Sequence, residues 1–138
     1  GWTFVIGTEY LTDLSRKLGV NCIGAAVYTE KRIYVSEASV VLHEFGHFLD
    51  CTMGFPQEHK DLYALEAAST PMKQHAKSNS LEYFAESFSY WLSGGTRTLA
   101  QLKELTPETY AYFEELSADW IPFFVNQKKY YAMVTTLH

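Results

Sequence analysis

The spacing of apolar and polar residues divides most of the chain into short strands and amphipathic helices. Residues 2–7 (WTFVIG) read as a strand. Residues 8–18 read as a helix whose apolar side carries Tyr10, Leu11, Leu14 and Leu18. Gly19 follows as the residue just past the last turn, where a left-handed backbone favours glycine. Residues 23–29 and 32–36 are rich in β-formers and are separated by Glu30-Lys31, a link short enough for a hairpin. Over residues 38–52, Ala38, Val41, Leu42, Phe45, Phe48 and Leu49 recur at three- and four-residue steps, the pattern of a helix packed on a core. Ser36 suits its N-cap, and Glu37 suits the positive end of its dipole.

Gly54 and Pro56 interrupt the pattern, and a helix resumes over 57–68 with His59 and Glu66 expected in solvent. Residues 69–79, with Pro71 and Ser78-Asn79-Ser80, read as a loop. A second strong helix spans 80–93, with Leu81, Phe84, Ala85, Phe88 and Leu92 on one stripe and Gly94-Gly95 at its end. Thr106 as cap and Pro107 at the first helical position open a further helix to about residue 118. The tail from Trp120 is aromatic and amphipathic, suited to core or interface packing. There are no internal repeats. The expected fold class is α+β, a single domain over residues 1–138: a small N-terminal mixed sheet with helices, then two strong helices, then a helical C-terminal part.

The two strong helices carry the chemistry. His43-Glu44-Phe45-Gly46-His47 reads H-E-x-x-H, with polar His43, Glu44, His47 and Asp50 opposite the apolar stripe. Imidazoles four residues apart on a helix share a face, with Cβ atoms roughly 6 Å apart. They can bind one Zn²⁺ together, leaving Glu44 beside the first ligand as general base toward a water. That constellation points to hydrolysis, most often of peptide bonds. A solvated helix face would more often carry Lys and Glu than two His. Gly46 costs about 1 kcal/mol of helix propensity against Ala, which a close approach by another backbone or the sheet would explain. Asp50 is a second candidate to orient a ligand imidazole; otherwise it caps or pairs locally.

Two His do not complete a catalytic zinc site, which usually has three protein ligands. The longer signature H-E-x-x-H-x-x-G-x-x-H is not met, because Asp50 and Met53 stand at its Gly and third His. A carboxylate from a second helix is the common remaining solution. On residues 80–93, Glu82, Glu86 and Ser89 share a face. Like charges at this spacing repel unless a cation lies beside them. Spacing alone leaves two readings: Glu82 as ligand with Glu86 supporting a ligand His, or two solvent-facing glutamates.

LHEFGHFLD (42–50) and NSLEYFAESF (79–88) resemble the two zinc-site segments of the anthrax lethal factor catalytic domain and of the related secreted clostridial Pro-Pro endopeptidases. LTPETYAYFEEL (105–116) resembles that family's closing helix, so the similarity runs from about residue 20 to 118. The resemblance implies a zincin-like fold and a zinc-dependent endopeptidase. It implies His43, His47 and Glu82 as ligands, Glu44 as base, and Glu86 as partner of a ligand His. It also implies a secreted protein acting on a protein or peptide substrate. One position departs: seven residues before the ligand Glu the family carries a Tyr that can stabilise the oxyanion, and here stands His75. An imidazole N–H could donate the same hydrogen bond. Alternatively His75 is a solvated loop residue and the site lacks its electrophile, with Tyr63 or Tyr83 as stand-ins.

Composition narrows the rest. Of 138 residues, 47% are hydrophobic and 16% aromatic, as in a well-packed globule. A net charge of −5 and the absence of a basic cluster beyond Lys128-Lys129 argue against a nucleic-acid partner. No apolar run is long enough for a membrane span, and the reading is a monomer. Gly1-Trp2-Thr3 opens into the first strand with no signal-peptide pattern, as in a mature form or an excised domain. Cys22 and Cys51 either pair or remain two thiols. Strand residues Ile33-Tyr34-Val35, just before the H-E-x-x-H helix, are the expected docking strand for an extended substrate. The alternatives are a catalytically silent zinc- or peptide-binding domain, which His75 favours and Glu44 opposes, and an intracellular regulatory metallopeptidase.

Overall fold

The computed structural model describes residues 1–36 and 40–117. Strands β1 (Thr3–Ile6), β2 (Gly24–Val27) and β3 (Arg32–Val35) form one mixed sheet in the order β1-β3-β2. Around it lie α1 (Glu9–Leu18), α2 (Val41–Thr52), α3 (Gln57–Glu66), α4 (Ser80–Ser93), α5 (Thr96–Leu105) and α6 (107–117). Short 3₁₀ turns occupy Ala67–Ser69 and Gln74–Lys77, the second within the expected loop. The class is α+β, as the pattern predicts. No helix among the described residues is long and apolar enough to cross a membrane.

β3 is the most buried strand, with Ile33, Tyr34 and Val35 all buried. It sits in the centre, parallel to β1 with Thr3 opposite Arg32 and antiparallel to β2 with Gly24 opposite Val35. The expected docking strand is therefore wrong. Both edges of β3 are already paired, so its backbone has no hydrogen bonds left for a substrate. Among the described residues β2 pairs with β3 alone and keeps one edge open. Glu30 and Lys31 do form the turn between β2 and β3, with Lys31 at φ 53°. α1 ends as expected at Gly19, whose left-handed backbone (φ 69°) closes a hydrogen bond to the Ser15 carbonyl.

α2 begins later than the pattern suggests. Glu37 and Ala38 lie outside the described residues, and the Ser36 hydroxyl donates to the Ile23 carbonyl (2.9 Å) rather than capping the helix. Both faces of α2 are covered. Phe45 stacks on Phe4 of β1, Phe48 meets Trp2 edge-on, and Leu49 joins Phe84, Phe88 and Phe113 in the main core. The opposite, polar face is also buried: Glu44, His47 and Asp50 are 5%, 7% and 1% exposed.

His59 and Glu66 correct the sequence reading. Neither is in solvent. His59 lies on Phe84 and bridges Asp50 Oδ1 through Nδ1 and the Tyr112 hydroxyl through Nε2, both at 2.6 Å. This tie fixes the far end of α2 against α3 and α6, and it commits Asp50 to His59 rather than to a ligand imidazole. Glu66 accepts from the backbone N–H groups of Glu108 and Thr109 (2.8 Å each) and from the Thr109 hydroxyl (2.7 Å). A carboxylate there satisfies the free N–H groups of the α6 N-terminus. The Thr106 hydroxyl, the expected cap, instead donates back to the Leu102 carbonyl (2.9 Å). α5 was not indicated by the pattern, and only Leu102 of it is buried. Cys22 and Cys51 are both free, so the pairing left open by the sequence is not made. The expected tail from Trp120 lies outside the described residues.

Candidate metal centre

α2 and α4 make the most extensive helix contact in the fold, and each presents one polar turn to the other. Their backbones meet at Gly46. A Cβ built there would lie 2.6 Å from the Ala85 Cα and 3.0 Å from its carbonyl oxygen, so only glycine admits this crossing. This is the close approach that a mid-helix glycine suggested. Asn79 starts α4, its side chain accepting from the Glu82 backbone N–H at 2.9 Å. Glu82 and Glu86, one turn apart, then face His43 and His47.

The arrangement is tight. His43 Nε2 lies 3.1 Å from His47 Nε2 and 3.1 Å from Glu82 Oε2, and His47 Nε2 lies 3.4 Å from Glu82 Oε1. Ligand atoms at tetrahedral positions around one Zn²⁺, with bonds of about 2.0–2.1 Å, lie roughly 3.3 Å apart. The two contacts to Glu82 run to different oxygens, and with one donor atom from each residue all three lie within 4.8 Å of one another. Glu44 Oε2, His47 Nδ1 and Glu82 Oε2 are buried without a hydrogen-bond partner. Glu82 Oε2 makes close ion-pair contacts instead, 3.1 Å from His43 Nε2 and 2.8 Å from His75 Nε2. An unpartnered buried carboxylate oxygen is costly, and of these three atoms Glu82 Oε2, which faces the imidazoles, suits a site built around a cation. Two imidazoles and a carboxylate form a donor set that suits zinc.

Charges within the cluster point the same way. Burial opposes a positive charge on His43, but the carboxylates of Glu82 and Glu86 beside it outweigh that and lift its pKa to about 10. Burial would raise the Glu82 pKa, yet hydrogen bonds and charge from His43 and His47 hold it far below the usual carboxylate range. Glu86 Oε2 accepts from His43 Nδ1 at 2.5 Å, leaving Nε2 toward the centre. Both shifts favour a protonated His43 imidazole beside ionised Glu82 in the metal-free protein.

Glu44 lies on the sheet side. Burial pushes its pKa up, and the imidazoles of His47 and His43 pull it partly back. His75 sits on the 3₁₀ turn at the rim, largely exposed, with Nε2 2.8 Å from Glu82 Oε2. It belongs to the cluster and is not a detached loop residue. Tyr63 and Tyr83 do not stand in for it. The Tyr63 hydroxyl donates to the Lys77 carbonyl (2.7 Å), and the buried Tyr83 hydroxyl pairs with Thr109 (2.8 Å).

A cleft of about 340 Å³ opens over the cluster, with Leu14 and Leu18 of α1, Ala25 of β2, Tyr28, His75 and Leu81 among its walls. Gly24, Ala25 and Ala26 of β2 form one wall of it. A larger hollow, about 610 Å³, lies between β1 and the start of α1, away from the cluster, and holds no comparable donor set. Two residues at the cleft were not singled out from the sequence. Tyr28 keeps its phenol proton because burial, then the charges of Asp50, Glu44 and Glu82 among others, raise its pKa well above the usual value. Gly24 of β2 lies against the Glu44 carboxylate. A lone glycine inside a strand pattern is the one signal that could have marked it.

The family model described as anthrax toxin lethal factor, N- and C-terminal domain, matches residues 8–116, a span that includes all of these site residues. A comparison with curated proteins gave no match.

Proposed function

The chain belongs to the anthrax toxin lethal factor N- and C-terminal domain family, and from that premise we propose that it is a zinc-dependent endopeptidase of zincin type. The observation that carries this reading is the cluster of His43, His47 and Glu82 donor atoms, one from each residue, all within 4.8 Å of one another. From the family we also take a secreted enzyme acting on a protein or peptide, and from the chain's length and composition one catalytic domain over residues 1–138 that acts as a monomer.

His43, His47 and Glu82 would hold the zinc, and Glu86 would keep His43 oriented through Nδ1. When bound, zinc supplies Lewis acidity toward a water and the scissile carbonyl. Glu44, with a pKa raised by burial, accepts a proton from the attacking water and returns it to the leaving amine nitrogen. The N–H of His75, exposed at the rim, can reach an oxyanion developing near Glu82. The edge of β2 that is unpaired among the described residues offers backbone groups to an extended peptide lying along the cleft, which gives affinity without fixing side chains.

A peptide library incubated with the protein tests the reading. Cleavage is expected with zinc, is lost with a chelator and returns when zinc is restored. A zinc-loaded protein that binds peptides and cuts none would favour a silent domain, the reading that His75 in place of a tyrosine supports.

The raised pKa of His43 gives a second expectation. Because it lies near 10, His43 of the metal-free protein is charged at neutral pH, and Nε2 must lose a proton before it can bind a metal. Zinc uptake at pH 7.5 therefore releases about one proton from this residue, and apparent affinity rises about tenfold per pH unit until the pKa is passed. Calorimetry in buffers of different ionisation enthalpy measures the release. Uptake with no proton released would contradict the assignment of the charge to His43.

A further inference from the structure

Gly24 has no conformational reason to be glycine. It is a strand residue paired with Val35, its backbone lies outside the left-handed region, and any L-residue could adopt it. What it lacks is room. A Cβ built on Gly24 would lie 2.2 Å from Glu44 Oε1, 2.8 Å from Cδ and 2.9 Å from Cγ. All three contacts are to the carboxylate arm of one side chain. The neighbouring residues of β2, Ala25 and Ala26, are also small, so this strand presents a low wall to the cleft. Glu44 is 5% exposed, and its second oxygen has no partner, so no hydrogen bond holds that end of the carboxylate in place. The space that a Gly24 side chain would fill is occupied by this carboxylate.

We infer that Gly24 is the positioning residue for Glu44: the missing side chain leaves the space in which the general base's carboxylate rests. The inference deepens the endopeptidase reading and rests on it for its catalytic consequence. Adding one methyl group would not unfold β2, because the clashing atoms are the end of a flexible side chain. It would push the carboxylate off its seat, away from the water it must deprotonate. Glycine in a strand interior otherwise weakens the strand, so its presence here trades some stability for the placement of the base.

The test uses Gly24→Ala in three backgrounds. In the native background kcat for a cleaved peptide falls on the order of 10²-fold, as an ångström-scale misplacement of a catalytic group can produce. KM changes little, and zinc is retained because none of the three ligands is touched. In the Glu44→Asp background the same step costs much less, since the shorter side chain withdraws Cγ and the carboxylate from the added Cβ. A readout independent of catalysis is the melting temperature of the metal-free proteins. Gly24→Ala lowers it in the native background and leaves it unchanged or raises it in Glu44→Ala, where the clash is gone. Equal effects of Gly24→Ala in both melting backgrounds, or an unchanged kcat in an active enzyme, would overturn the inference. If the native protein cuts no peptide, the endopeptidase reading fails, and the melting cycle still decides the contact between Gly24 and Glu44.

Discussion

Glu44→Gln keeps its zinc and loses peptide cleavage by on the order of 10²–10⁴-fold, the range expected for removal of a general base. The amide has nearly the shape of the carboxylate, so the space beside Gly24 stays filled. The donor triangle of His43, His47 and Glu82 does not include residue 44. What disappears is a proton acceptor. Burial raises the pKa of Glu44, which makes it a better acceptor near neutral pH than an exposed carboxylate. Loss of the metal together with activity would show that Glu44 instead holds the site together. Near-native turnover with zinc bound would remove Glu44 from the mechanism. Metal analysis alongside kcat separates the three outcomes.

Gly46→Ala has the second large effect, and its sign is diagnostic. In an ordinary helix the change from glycine to alanine stabilises by about 1 kcal/mol. Here the added methyl group would come 2.6 Å from the Cα and 3.2 Å from the carbonyl carbon of Ala85, and backbone atoms cannot swing aside. α2 and α4 would have to separate, at a cost in the usual overpacking range of about 1–3 kcal/mol. That crossing also sets the distance from His43 and His47 on α2 to Glu82 and Glu86 on α4. Zinc affinity should therefore fall with stability. Denaturant unfolding and zinc titration of the same variant measure both. A stabilised Gly46→Ala with native zinc affinity would mean that the helices do not touch at this point.

α2 and α4 were legible in the sequence because each joins an unbroken apolar stripe to a polar turn of chemically distinctive residues. The proposed metal ligands, the proposed base and Glu86 all sit on those two helices. Other features depend on partners remote in sequence. His59 and Glu66 looked solvated on a largely polar α3, but their partners Tyr112 and Thr109 lie 53 and 43 residues along the chain. Their burial follows from the placement of α6, which periodicity within α3 cannot encode. The docking strand was misplaced for a related reason: the local sequence marks Ile33-Tyr34-Val35 as strand but does not give the order β1-β3-β2. α5 buries only Leu102, too thin a stripe to stand out from a loop. His75 could be aligned by its spacing from Glu82, yet only the turn at Gln74–Lys77 brings its imidazole to the cluster.

The most direct test of the account is the zinc content of the purified protein after equilibration with zinc, measured beside Glu82→Ala and His43→Ala, with circular dichroism to show that each keeps its helices. The account predicts about one zinc per native chain, as expected for a His₂Glu site, and none retained by either variant. Stoichiometric zinc in both variants, or a native chain that takes up none, would contradict it.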